Sequence, residues 1–306
     1  ESPGNLLMSG PAGGGTGALF FCTKAGFSNI LTFDMGGTST DISLISGGEA
    51  ALSSDRGVGG ERVALPSLDI VSIGAGGGSI ARVDAGGVLH VGPESSGGQP
   101  GPACYGRGGT QPTTTDASVV LGLLDAENFL GGTATLDKPA AEKALDGLAE
   151  TLGLDRMTAA EGVHRVVNTN MAEGVRLVSV RRGVDPRKFA MLSFGGAAGV
   201  HITEIARQLD VDRAFAPRVA SVLSAWGMLA TDLRFEASRS HIGDATALDA
   251  GALRNLFSEL EAKARARLDT AGFEGEVQIR PSADMRYGEQ IFEIDVALDG
   301  LDFGAD

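Results

Sequence analysis

Apolar and polar positions alternate over a short stretch near the start of the chain. Ile30, Leu31 and Phe33 read as one strand, and Ile42, Leu44 and Ile45 as a second. GGTST (36–40) lies between them, so the pair is expected to close as a β-hairpin. Upstream, residues 9–26 join glycines to an apolar tail and read as a Gly-rich loop followed by a short apolar helix ending at Gly26. Residues 66–92 carry further strand-like runs with glycines at the turns. Residues 93–116 are rich in Gly, Pro, Ser and Thr and read as a long irregular loop, a kind of segment that is commonly functional in compact domains. ASVVLGLL, from Ala117, then reads as a helix.

The period changes to that of helices further on. Residues 139–152 fit an amphipathic helix and 158–180 a longer one, with Thr158 and Glu161 as its capping box. Val163, Val166, Val167, Asn170, Met171, Val175 and Val178 fall on one face. Asp185, Pro186 and Arg187 read as a turn. FAMLSF (189–194) is a buried-strand run closed by Gly195 and Gly196. A helix from about Gly199 to Leu209, a short strand at RAFAP and a helix at SVLSAWGMLATDL follow. From Asp249 a charged helix runs to about Ala271, then strand-like runs at 277–280 and 290–298. Strands alternating with helices predict an α/β layer fold over 1–245, with a small α+β appendage over 246–306.

Composition narrows the function. Glycine is abundant, 46 of 306 residues, and clustered between apolar runs, which fits tight turns and close backbone approach. The net charge is −14 with scattered Lys and Arg, so no nucleic-acid partner is expected. No apolar run reaches membrane-spanning length. The two cysteines, Cys22 and Cys104, are far apart and suggest a reducing, cytoplasmic compartment. The four histidines show no metal-ligand spacing. The chain starts without a methionine and stops just after a strand-like run, so both ends are expected to be cuts in a longer polypeptide.

The hairpin turn carries the candidate chemistry. Glycines let backbone N–H groups approach an anion, and Thr38, Ser39 and Thr40 add hydroxyl donors. Asp34 ends the first strand and Asp41 starts the second, so both carboxylates are expected near the hairpin mouth. A carboxylate beside a phosphate needs a cation between them, and Mg²⁺ binds through one or two carboxylates plus phosphate oxygens and water. The turn therefore suits the terminal phosphates of a nucleotide held with Mg²⁺. Asp and Gly in a turn also serve plain turn chemistry. Gly195 and Gly196, between a buried strand and a helix, suit either approach to a nucleotide or close strand–helix packing.

FDMGGTSTD (33–41) followed by SFGGA (193–197) resembles the phosphate and adenosine motifs of the actin-like ATPase fold shared by sugar kinases and heat-shock chaperone ATPases. With SGPAGG (9–14), SIGAGGGSIA (72–81), PGPACYGRGG (100–109), TDA (115–117), RGVDPRKFAMLSFGGA (182–197), SVLSAWGMLATDLR (221–234) and DMRYGEQ (284–290), nearly the whole chain resembles the hydantoinase A / 5-oxoprolinase family. Ala198 and Gly199 stand where the family pattern has Gly and Pro, while His201 matches.

The resemblance implies the RNase H-like half of an actin-like ATPase, with ATP and Mg²⁺ as cofactors. It implies an ATP-dependent hydrolase opening cyclic amides of the hydantoin or 5-oxoproline type by phosphoryl activation, or else a subunit of an acetone or acetophenone carboxylase. It implies partners as well: a further N-terminal half and a hydantoinase B-type subunit or domain. A third possibility is that the piece alone is a non-catalytic nucleotide-binding or interface module.

The residues so assigned are Asp34 and Asp41 for catalysis and Mg²⁺, and Gly36, Gly37, Thr38, Ser39 and Thr40 for phosphate. Gly195 and Gly196 are set against adenosine. Gly76 and Gly77 are set at the ligand on the resemblance alone, since GAGGG equally makes a sharp bend. Cys104 is expected to be packed, Arg107 to meet a phosphate, a partner or only solvent, Asp116 to cap a helix, His201 to hydrogen-bond locally and Trp226 to lie in the core.

Overall fold

The computed structural model describes residues 9–50, 52–53, 56–58, 61–63, 67–288, 290 and 293–298. β1 (Ile30–Met35) and β2 (Thr40–Ser46) pair antiparallel as expected, with Asp34 opposite Asp41 and Met35 opposite Thr40. β3 (Glu49–Ala50) follows through a Gly47–Gly48 turn and pairs with the far end of β2. Four short strands form two small ladders outside this sheet: β4 (Leu52–Ser53) with β7 (Ser67–Leu68), and β5 (Arg56–Val58) with β6 (Glu61–Val63). β8 (Ile70–Ile73) returns antiparallel to β2, and places Ser72 beside Asp41. β9 (Ser79–Val83) and β10 (Leu89–Ser95) form a separate antiparallel pair. β11 (Ala190–Phe194) lies parallel to β1, and β12 (Ala214–Phe215) parallel to β11. The result is a mixed sheet in an α/β layer.

The two-residue period of strands divides this sheet into faces. Leu31, Phe33, Met35, Ile42, Leu44 and Met191 enter one apolar cluster, which also holds the buried stripe Val163, Val167, Met171, Val175 and Val178 of α4 (Arg156–Arg181). The predicted face is thus observed except that Val166 is half-buried and Asn170 is exposed, donating to the Val91 carbonyl at 3.2 Å; the cap differs as well. Asp155, not Thr158, caps α4, because its carboxylate accepts both the amide (3.0 Å) and the hydroxyl (2.6 Å) of Thr158. α2 (Thr114–Val120), α3 (Lys138–Leu152) and α5 (Ile202–Gln208) complete this layer.

Ile30, Ile45, Leu192 and Phe194 face the other side, against α1 (Ser9–Lys24) and α6 (Leu223–Leu229). Here the sequence expectation of a Gly-rich loop is corrected: residues 9–24 are helix throughout. A Cβ on Gly13 would lie 2.3 Å from the Ser224 carbonyl, and one on Gly227 only 1.9 Å from the Gly13 carbonyl. The glycines thus let two helix backbones touch. That tertiary contact offsets the roughly 1 kcal/mol of helix propensity each glycine forfeits. Trp226 is half-buried and packs on Phe20 and Phe21, with ring centroids at 4.7 and 4.8 Å.

The chain divides into two units, 1–231 and 232–306; the sequence reading set its boundary near 245. The second unit holds α7 (Ala250–Thr270), capped by Asp249, and a hairpin of β13 (Ser282–Met285) and β14 (Ile294–Ala297). Residues 277–280, expected as a strand, are irregular. Part of the run 290–298 lies outside the described residues.

Candidate anion and cation site

Asp34 and Asp41 are direct cross-strand partners, so their side chains leave the same face of the sheet. Both are half-buried. Burial and the neighbouring Asp41 carboxylate push Asp34 up to about 6, against a smaller lowering by the Ser224 hydroxyl. Ser224 on α6 donates to Asp34 Oδ2 at 3.5 Å, and Ser72 on β8 donates to Asp41 Oδ1. A small recess bounded by Thr32, Asp34, Asp41, Ser43, Ile70 and Phe194 adjoins the pair. Two carboxylates this close repel unless a proton or a cation joins them.

The same period decides the fate of Thr40. One residue along from Asp41, it projects to the opposite face, where it is fully buried and donates to the Ala75 carbonyl at 2.6 Å. Its assignment to phosphate is therefore corrected.

Gly36, Gly37, Thr38 and Ser39 form the turn itself. The Gly36 amide donates to the Ser39 carbonyl at 3.1 Å. Among the described residues, the amides of Gly37, Thr38 and Ser39 meet no acceptor, and neither do the Thr38 and Ser39 hydroxyls. Gly37 and Thr38 are exposed. A Cβ on Gly37 would meet nothing within 4 Å. Three successive N–H groups without an acceptor, in a turn that is open at Gly37, can receive an anion.

Gly76 and Gly77 are corrected too. They are buried behind the turn, and a Cβ on Gly76 would lie 2.7 Å from Thr38 backbone atoms. The Gly76 amide is spent on Ser79 Oγ (2.9 Å), that of Gly77 on the Gly36 carbonyl (3.0 Å) and that of Gly78 on the Gly37 carbonyl (2.6 Å). These glycines support the turn; none of their N–H groups is left for a ligand.

Gly195 and Gly196 are brought to the same end of the sheet. Gly195 has φ of +88°, and a Cβ there would stand 2.4 Å from the Met35 carbonyl and 2.5 Å from Asp34 Oδ1. Glycine is required for this approach. Gly196 is exposed, has no neighbour within 4 Å of its Cβ position, and keeps its amide unspent among the described residues. A 3-10 turn at Ala198–Val200 precedes α5, so the helix starts later than expected.

His201 is buried and bonds Asn168 Oδ1 through Nδ1 at 2.8 Å, a local role as expected. Burial, and the stacked His164 ring at 4.8 Å, hold it neutral, down to about 3. Cys104 is packed, and burial pushes its thiol above the usual range. Arg107 is exposed and donates to the Gly98 carbonyl at 3.3 Å. Asp116 is not the N-cap of α2. Thr113 is, and Asp116 closes the capping box while also accepting the Ala103 and Cys104 amides at 3.2 and 2.8 Å. A groove of about 590 Å³ between α3 and Gly109–Pro112 contains none of the predicted site residues.

Sequence reasoning missed Ser72 and Ser224. Ser72 needed the β8–β2 register, and Ser224 stands 190 residues from Asp34. Among the described residues, no group of three or more His, Cys, Asp or Glu converges on a metal position, and no helix is long and apolar enough to cross a membrane.

A glycine turn with unspent amides thus lies beside paired carboxylates at one end of the mixed sheet of an α/β protein. The chain belongs to the hydantoinase/oxoprolinase family, whose model matches residues 1–237. It is 39% identical over 299 residues to the caprolactamase subunit alpha of Pseudomonas jessenii, covering 96% of this chain and 43% of that one. Its structure is similar to a nucleotide-free acetone carboxylase described as ATP-dependent, with a TM-score of 0.82, 30% identity, and 95% and 42% of the two chains covered. It is also similar to the ATP-dependent caprolactamase of Pseudomonas jessenii, with a TM-score of 0.75, 38% identity, and 94% and 42% covered. The chain spans less than half the length of these relatives.

Proposed function

We propose that this chain supplies one wall of the ATP site in an ATP-dependent enzyme that opens cyclic amides of the hydantoin or 5-oxoproline type. One observation carries the reading: the unspent amides of Gly37, Thr38 and Ser39 adjoin the half-buried Asp34–Asp41 pair. Phosphoryl transfer asks a protein chiefly for positioning and charge stabilisation, and amides, hydroxyls and carboxylates supply both. The donor set fits Mg²⁺, a hard cation that takes one or two carboxylates and fills its shell with water and phosphate oxygens. Asp34 and Asp41 would hold it, where its charge offsets that of the phosphates. Gly196 would face the nucleoside. On this reading residues 1–245 are the RNase H-like half of an actin-like ATPase and 246–306 an appendage. A second actin-like half and a hydantoinase B-type subunit complete the cytoplasmic enzyme.

A specific observation keeps a second reading. Identity is higher to the caprolactamase (38% against 30%), whereas the backbone matches the acetone carboxylase more closely (0.82 against 0.75). A ketone carboxylase subunit is thus the alternative, and dependence of product formation on bicarbonate discriminates the two.

Calorimetric titration of the intact protein with Mg-ADP, repeated with Asp34→Ala, tests the site. The expected result is binding by the wild type and at least about a hundredfold weaker binding by the variant, the scale of losing a metal-linked contact. Equal affinity for both proteins refutes the assignment.

A further inference from the structure

We infer that Thr115 is a positioning residue for the phosphate turn, acting through a relay of peptide groups that ends on the outward Thr38 amide. The inference rests on the reading of that turn given above. In a trans peptide the C=O and the following N–H point in opposite directions. The Gly77 carbonyl accepts both the amide and the hydroxyl of Thr115, each at 2.8 Å. That double grip turns the N–H of the same peptide, at Gly78, toward the hairpin, where it donates to the Gly37 carbonyl at 2.6 Å. The Gly37 peptide is fixed in turn, so its own N–H, at Thr38, leaves from the opposite side into the exposed turn. Chains of hydrogen bonds polarise one another, so Thr115 both aims and strengthens the terminal donor.

A nearly identical clamp nearby provides the control. Ser96 grips the Gly78 carbonyl with its amide (2.9 Å) and its hydroxyl (3.2 Å). The N–H of that peptide belongs to Ser79 and donates to the Gly76 carbonyl at 3.1 Å, within the loop, so this branch ends without reaching the turn. Thr115 is the more buried and its bond the shorter, so a general stabilising role predicts effects at both hydroxyls, smaller at Ser96; the relay predicts an effect on the turn from Thr115 alone.

The test compares Thr115→Val, Thr115→Ser and Ser96→Ala in the intact protein. Amide exchange at Gly77 and Gly78 is followed by mass spectrometry without ligand, and Mg-ADP affinity by calorimetry. Thr115→Val should speed exchange and weaken Mg-ADP binding, each about three- to tenfold, the scale of one hydrogen bond. Thr115→Ser should restore both, and Ser96→Ala should leave both near wild type. Thr115→Ala removes the same hydroxyl without added bulk and replaces the valine variant if that fails to fold. Unchanged exchange on loss of the Thr115 hydroxyl, no rescue by serine, or equal effects of Ser96→Ala would overturn the relay. A wild type that does not bind Mg-ADP fails the nucleotide reading instead, and the ligand-free exchange still decides the relay.

Discussion

Gly36–Gly37 and Gly76–Gly78 are alike in sequence and lie against each other, yet Gly37 and the second run have opposite surroundings. None of the five has a left-handed φ, so none is glycine for backbone reasons alone. In the second run every Cβ position is filled, with Gly37 or Thr38 backbone within 3 Å of Gly76 and Gly78, and every amide is spent. At Gly37 the Cβ position is empty and the amide free. The fold itself therefore demands glycine at 76–78, whereas at Gly37 neither a neighbour nor a left-handed φ does. On the proposed function, that contrast separates the support of the turn from the surface that meets the nucleotide.

The sharpest way to break the comparison is Gly76→Ala. Its methyl must displace backbone rather than a side-chain tip, so thermal or denaturant unfolding should show a loss of about 3 kcal/mol. A loss below about 1 kcal/mol would mean that the support is pliant.

Asp34→Asn acts in the other direction, by about 2 kcal/mol once water screening of the half-buried carboxyl is allowed for. The Asp34 carboxyl is raised to about 6, so its contribution to stability is full below the unfolded value near 4 and is lost as pH rises through 6. Without ligand, the asparagine variant should match the wild type in acid and be the more stable near pH 7. Parallel stability–pH curves for the two proteins would contradict a carboxyl raised by burial and by the neighbouring Asp41.

The smallest effect sharpens the comparison most. Gly37→Ala should leave stability unchanged or raise it by about 0.5 kcal/mol, since the unfolded chain loses freedom and nothing clashes. Mg-ADP affinity should nevertheless fall. Loss of stability with affinity intact would reverse the roles given to the two glycine runs.

Much of this was legible in the sequence because it was local. The hairpin, the buried strand before Gly195 and the apolar face of α4 follow from periods of two and 3.6. The carboxylate pair followed as well, since an antiparallel hairpin sets its end residues opposite each other. Strict use of the same period would have turned Thr40 inward beforehand. What stayed hidden depends on partners distant in sequence. The glycines of α1 read as a loop because the helix that covers them, α6, lies some two hundred residues away. Gly76 and Gly77 were set at the ligand on the resemblance alone, and nothing local records the turn beneath them. The caps of α2 and α4 were each displaced by one turn, because Thr113 and Asp155 compete with equally plausible neighbours.

The Ser224–Asp34 contact also has a consequence for synthesis. Its two residues are 190 positions apart, and a ribosome adds about 5–20 residues per second, so the carboxylate exists for about 10–40 s before its hydroxyl partner is made. The touching surface of α1 waits equally long for Gly227. A nascent chain therefore presents the hairpin and its acidic pair early, while the half-buried form of the site is among the last parts of the first unit to be completed.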